Sequence, residues 1–295
     1  MQVNANGIQI EVQDNGPEDA PVVLLIMGLG MQLTGWPELW LSSLQAAGFR
    51  VVRFDNRDSG YSTSMDAMGV PHMLWAGLKH KLGWRQKPPY TLQDMARDAL
   101  GVLDALGVAR AHVIGVSMGG MIAQRMALMA PQRLFSLVSI MSTSGASGLP
   151  DPDPVVLKHM FTPAKPGIDG AIAHNVRLIQ LIASPAHPLD EAVLRRQIEA
   201  AVRRAHRPAG VLRQTVAVMA DTGRAELLSS VAVPTLVVHG DSDRMVPLAC
   251  GQDTVRRIPG AMWHVVSGMG HDLSPWASQR MLSAVLPFLK GHTPR

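Results

Sequence analysis

Apolar residues in this chain fall into short continuous runs, separated by longer stretches where they recur every three or four positions. The runs are Pro21–Ile26, Arg50–Phe54, Ala111–Val116, Leu134–Ile140, Thr235–Val238 and Trp263–Val266. Strands apolar on both faces suit a parallel sheet covered by helices on each side. The helical stretches include Leu92 to Leu106, opened by the capping-box pattern Thr91-Leu92-Gln93-Asp94 and stopped at Gly107. Others run from Met118 to Ala130, closed by Pro131, and from Met281 to Leu289. At the N-terminus, Asn6-Gly7 between two short alternating segments predicts a hairpin. Strands alternating with helices define an α/β class with a mostly parallel, doubly wound sheet.

Two stretches break the rhythm. Residues 65–90, with Trp75, Trp84 and several lysines, are expected to form an irregular insertion. Residues 144–214 begin with Leu149-Pro150-Asp151-Pro152-Asp153-Pro154, look helical throughout and contain no strand pattern. They are expected to be a helical cap, dividing the core into residues 1–143 and 215–295.

The chemistry concentrates where predicted strands end. Gly115-Val116-Ser117-Met118-Gly119 is a Gly-x-Ser-x-Gly pattern between a strand and a helix. A serine in so tight a turn is exposed at the strand end, with the helix N-terminus beneath it. Ser117 is therefore the candidate nucleophile. A serine hydroxyl needs a base. Of 11 histidines, His271 lies in a glycine-rich loop past the last strand, at the sheet end where Ser117 sits. His112, His239 and His264 lie in or beside strands, where packing is the ordinary role. A carboxylate must orient the imidazole. In His239-Gly240-Asp241-Ser242-Asp243, Asp241 suits a turn cap and Asp243 reaches further into the loop, so Asp243 is the candidate acid. The amide of Met118 and that of Leu29, in the loop Met27-Gly28-Leu29-Gly30, are the expected oxyanion donors. That glycine loop completes neither a dinucleotide-binding nor a P-loop spacing.

These segments, with Asp55-Asn56-Arg57-Asp58-Ser59-Gly60-Tyr61-Ser62 and Gly270-His271, resemble the α/β-hydrolase superfamily over nearly the whole chain. Within it, the chain is similar to aclacinomycin methylesterase-like bacterial serine esterases. The resemblance implies an α/β-hydrolase fold, a Ser-Asp-His order and acyl-enzyme chemistry without a cofactor. Met27 departs from the histidine that many members carry before the glycine, which leaves a backbone donor unaffected. Relatives that use an aspartate nucleophile, the haloalkane dehalogenases and epoxide hydrolases, carry it where this chain has Ser117.

Composition narrows the rest. The single cysteine, Cys250, excludes an intrachain disulfide and reads as a packed thiol. No apolar run reaches the ~20 residues of a bilayer span. The first residues show no export-signal pattern, so a cytoplasmic location without stable membrane insertion is expected. The net charge of +4 owes much to Arg195, Arg196, Arg203, Arg204 and Arg207, expected on a solvated helix face; without interleaved aromatics they do not predict nucleic-acid binding. No histidine–cysteine–carboxylate spacing suggests a metal. Asp55 and Arg57 are read as loop-fixing charges. Trp36, Trp75, Trp84 and Met160 are candidate substrate-pocket residues. The expected activity is hydrolysis of a small or medium apolar carboxylic ester, with homodimerisation compatible. The alternatives are carbon–carbon hydrolysis, perhydrolysis or lyase chemistry with the same triad, or a small-molecule receptor.

Overall fold

The computed structural model describes residues 1–84 and 86–293. Its eight strands are β1 (Gln2–Ala5), β2 (Ile8–Asn15), β3 (Val22–Ile26), β4 (Arg50–Phe54), β5 (Ala111–Val116), β6 (Leu134–Ile140), β7 (Thr235–Gly240) and β8 (Met262–Val266). They form one sheet in the order β1-β2-β4-β3-β5-β6-β7-β8. Strand β2 pairs antiparallel with both neighbours, and all pairings from β4 to β8 are parallel. The β1–β2 hairpin turns at Asn6 and Gly7, both with positive φ, the geometry that an Asn-Gly pair accommodates best. Strands β3, β5 and β7 are buried at every position, because helices cover both faces of the sheet.

Outside the cap, the helices are α1 (Glu38–Ala46), α2 (Met73–Lys81), α3 (Leu92–Ala105) and α4 (Met118–Met129). The cap follows β6 with α5 (Pro154–Phe161), α6 (Ile168–Ile182), α7 (Glu191–Arg204) and α8 (Pro208–Met219). The short α9 (Arg224–Leu227) leads back to β7, and α10 (Leu248–Arg257) and α11 (Pro275–Gly291) complete the core. One apolar cluster joins α3 and α4 to the sheet, and a second joins α1 and α11 to it. The Thr91–Asp94 capping box is present in full at the start of α3.

Three boundaries differ from expectation. Helix α8 runs to Met219, so residue 214 lies inside a helix. Residues 65–90 are not irregular throughout, since they contain a 3-10 turn at Asp66–Met68 and then α2, which packs against α8. Helix α11 starts at Pro275, six residues before Met281, with the Ser274 side chain capping it and proline in its first turn. Among the described residues no helix is long and apolar enough to cross a membrane.

Candidate active site

The Gly-x-Ser-x-Gly turn is dictated by close backbone approach. A Cβ at residue 115 would overlap the Gly119 carbonyl, and one at residue 119 would overlap the Ile26 carbonyl at the end of β3. With hydrogen atoms at both positions, strand and helix close tightly enough to hold Ser117 at φ 56° and ψ −121°. A non-glycine residue persists there only where its surroundings over-determine it. Here the Ser117 amide donates to the Ile140 carbonyl at 2.9 Å, and the Ser142 hydroxyl donates to the Ser117 carbonyl at 2.7 Å. Gly28 faces Ser117: a Cβ on it would lie 3.2 Å from Ser117 Cβ and 3.8 Å from Oγ. Leu29 follows Gly28 in the β3 loop, and Met118 follows Ser117 at the start of α4.

His271 follows β8, and its Nδ1 lies 2.7 Å from Asp243 Oδ2. The second carboxylate oxygen accepts the Met245 and Val246 amides, each at 2.8 Å. Asp243 is thereby fixed on both oxygens, and the imidazole keeps Nε2 for the reacting side. His239 Nε2 contacts the Val246 carbonyl at 2.7 Å and lies 3.5 Å from Asp243 Oδ2. Burial lowers the His239 pKa, offset in part by the Asp243 charge. Asp241 instead binds the Gly268 amide at 2.6 Å and the Ser267 hydroxyl at 2.9 Å, tying the β7 loop to the β8 loop. Ser117, Asp243 and His271 all sit at the carboxyl edge of the sheet. Among the described residues no hydrogen bond joins Ser117 Oγ to His271; such bonds are often long before substrate binds.

The helices between β6 and β7 hold the loops that carry His271 and Gly30. The His271 amide donates to the Ile182 carbonyl at 2.6 Å, and the Gly270 amide donates to Ser184 Oγ at 3.0 Å. On the other side, Gln214 is fully buried and accepts the Gly30 amide at 2.8 Å. Its amide group donates to the Arg57 carbonyl at 2.8 Å and the Ser59 hydroxyl at 3.1 Å. Next to it, Arg213 makes a bidentate pair with Asp58, at 2.8 and 2.7 Å. Burial pushes the Asp58 pKa up, but Arg213, the Met65 amide and the Tyr90 hydroxyl together hold it below the usual carboxylate range. Sequence reasoning missed Arg213 and Gln214. The one available signal was the polar run Arg213-Gln214-Thr215 in an otherwise apolar helix, which alone does not distinguish a solvated position from a buried one.

Other expected site residues lie elsewhere. Trp36 is enclosed in the core beside α1, edge-on to Trp40 with ring centroids 5.4 Å apart. Trp75 and Trp84 are exposed beside one another at and after α2, and Met160 is exposed on α5. Asp55 and Arg57 are structural but are not paired with each other. Asp55 binds the Leu33 and Tyr61 amides and Arg204, while Arg57 grips Asp98 at 2.6 Å through two nitrogens. Arg204 is therefore turned inward, against the expectation of a wholly solvated arginine face. Cys250 is buried, which pushes its thiol pKa up to about 11. Among the described residues no group of three or more His, Cys, Asp or Glu side chains is arranged to hold a metal ion.

A sheet of this order with a serine elbow and an Asp-His pair at its carboxyl edge defines a class, and the chain belongs to it: it is an α/β hydrolase. The profile of the α/β hydrolase fold matches residues 21–167. Over 289 residues, the chain is 30% identical to a rhodomycin D methylesterase of Streptomyces sp. strain C5, covering 92% of this chain and 90% of that one. It is 27% identical to a 2-hydroxy-6-oxononadienedioate/2-hydroxy-6-oxononatrienedioate hydrolase of Burkholderia vietnamiensis, covering 96% and 91%. Among solved structures, a meta-cleavage product hydrolase from Pseudomonas fluorescens IP01 superposes with a TM-score of 0.75 at 20% identity, covering 99% and 98%. That last likeness is one of fold.

Proposed function

We propose that this hydrolase is a cofactor-independent serine esterase acting on small or medium apolar carboxylic esters. The observation that carries the reading is Ser117 held in the strained elbow, with the His271–Asp243 pair at the same sheet edge. In this reading Ser117 Oγ attacks the ester carbonyl while His271 Nε2 takes its proton, and Asp243 stabilises the imidazolium. The Leu29 and Met118 amides receive the oxyanion. His271 then protonates the departing alcohol, and a water activated by the same imidazole hydrolyses the acyl-enzyme. The similarity to a methylesterase supports the ester class.

A second reading keeps the triad and changes the bond, to carbon–carbon cleavage of an oxo-acid; the similarity to an oxononadienedioate hydrolase favours it. Hydrolysis of short and medium p-nitrophenyl esters by the wild type and by Ser117→Ala tests the first reading. Turnover should fall by about 10⁶-fold in the variant. Turnover surviving in a folded variant removes Ser117 as nucleophile, and turnover of β-diketones without esters selects the second reading.

A further inference from the structure

The outer surface of α2 and its flanks is unusual for a water-facing helix. Leu74, Leu78 and Leu82 are spaced four apart, on one stripe, and all are exposed, Leu74 at 82%. Trp75 and Trp84 extend the stripe, packed edge-on with ring centroids 6.4 Å apart, and Val70 precedes it at 65% exposure. The opposite side is the one that packs inward: Ala76 is buried, and α2 lies against α8. The helix thus turns its small residue to the protein and its large apolar residues outward, the reverse of ordinary amphipathic packing. A contiguous exposed apolar patch of this kind marks an interaction surface.

Charge identifies what it meets. Between Asp66 and Asp94 the sequence has Lys79, Lys81, Arg85 and Lys87 and no acidic residue. Asp66 itself is taken up by Arg213 at 2.8 Å. Lys79 Nζ lies 5.3 Å from the centre of the Trp75 ring, so cation and aromatic share one surface. A second copy of this chain would bring Lys79 and Lys87 against the same cations. An anionic lipid surface satisfies both features. Leucine and tryptophan enter the acyl–headgroup boundary, and lysines on flexible stems stay with the headgroups.

We propose that this face docks the hydrolase peripherally on membranes bearing anionic lipid, independently of which bond the active site cleaves. No segment crosses the bilayer in this mode; α2 lies in the interface plane.

The test is co-sedimentation of the full chain with vesicles of phosphatidylcholine alone, and with about one-third phosphatidylglycerol added, at low and high salt. Two variants accompany it: Leu74→Ser/Leu78→Ser, and Lys79→Glu/Lys87→Glu. The wild type should sediment with the anionic vesicles, lose most binding in high salt and show a blue shift in tryptophan fluorescence. Each variant should bind at least about tenfold more weakly while melting at the wild-type temperature. The charge variant keeps the test decisive if the serine variant fails to fold. Absence of sedimentation at low salt overturns the proposal, as does equal binding by a folded variant. A dimer in sedimentation velocity that dissociates in the serine variant also overturns it, making the face a subunit interface.

Discussion

Arg213 sits at the junction between cap and core, and removing it exposes how that junction is held. Its guanidinium and the Asp58 carboxylate are both almost fully enclosed, at 1% and 0% side-chain exposure. Arg213→Met keeps the length of the stem and removes the charge, leaving Asp58 buried with, among the described residues, the Met65 amide at 2.8 Å and the Tyr90 hydroxyl at 2.7 Å. Breaking a buried pair from one side costs about 3–5 kcal/mol. At about 2.1 cal/mol/K per residue, unfolding a chain of 295 residues carries roughly 0.6 kcal/mol/K of entropy. The expected loss is therefore about 5–8 °C in Tm, read by calorimetry near pH 7. The pH dependence supplies a second check. Because the folded Asp58 pKa is depressed, its contribution is present above the usual carboxylate value and lost as pH falls through the folded one. The difference between wild type and variant should accordingly shrink in acid. Asp58→Asn added to Arg213→Met should recover part of the loss, since asparagine tolerates the φ of 67° at this residue and no charge is then buried. A single variant melting within 2 °C of wild type, as an order-of-magnitude threshold, would refute the reasoning.

Three further outcomes are expected. Asp243→Asn should lower kcat by about 10⁴-fold in steady-state ester assays without a comparable change in Tm, because the wrong imidazole tautomer is then favoured. Gln214→Leu should lower kcat about 10- to 100-fold per active site titrated with a fluorophosphonate, by freeing the loop that carries the Leu29 amide; an unchanged kcat per titrated site makes Gln214 purely structural. Burial, with the nearby His292 and Arg110 charges, pushes the His112 pKa down to about 4. Between the ordinary value near 6.5 and that value, the unfolded chain binds the extra proton, so stability should fall by about 3 kcal/mol as pH drops through this window. His112→Asn should flatten that part of the Tm–pH curve, and an unaltered slope would assign the acid loss elsewhere.

The core of the fold was legible because its signals are local. Buried parallel strands are short and apolar on both faces, the Asn6-Gly7 turn needs positive φ, and the Thr91–Asp94 box is a contact across one helical turn. The same holds for Ser117, whose glycine neighbours at 115 and 119 record close approach within one strand–turn–helix unit. The start of α11 was legible in principle, since Ser274-Pro275 is a cap followed by a first-turn proline, but the apolar period was followed instead.

What the sequence by itself determined is the class of fold and the order of its core strands, and it offered three chain positions as candidates for nucleophile, acid and base. Each rests on interactions between residues close in the chain. Only the tertiary structure decided that Asp243 meets His271 at 2.7 Å, that the helices between β6 and β7 hold the His271 loop through Ile182 and Ser184 and the Gly30 loop through Gln214, and that Arg204 turns inward to Asp55. Those contacts join residues 28 to 184 positions apart. A polar side chain reads the same in sequence whether it ends in water or in a buried pair. The difference lies in whether the rest of the chain brings a partner close enough to replace its lost hydration.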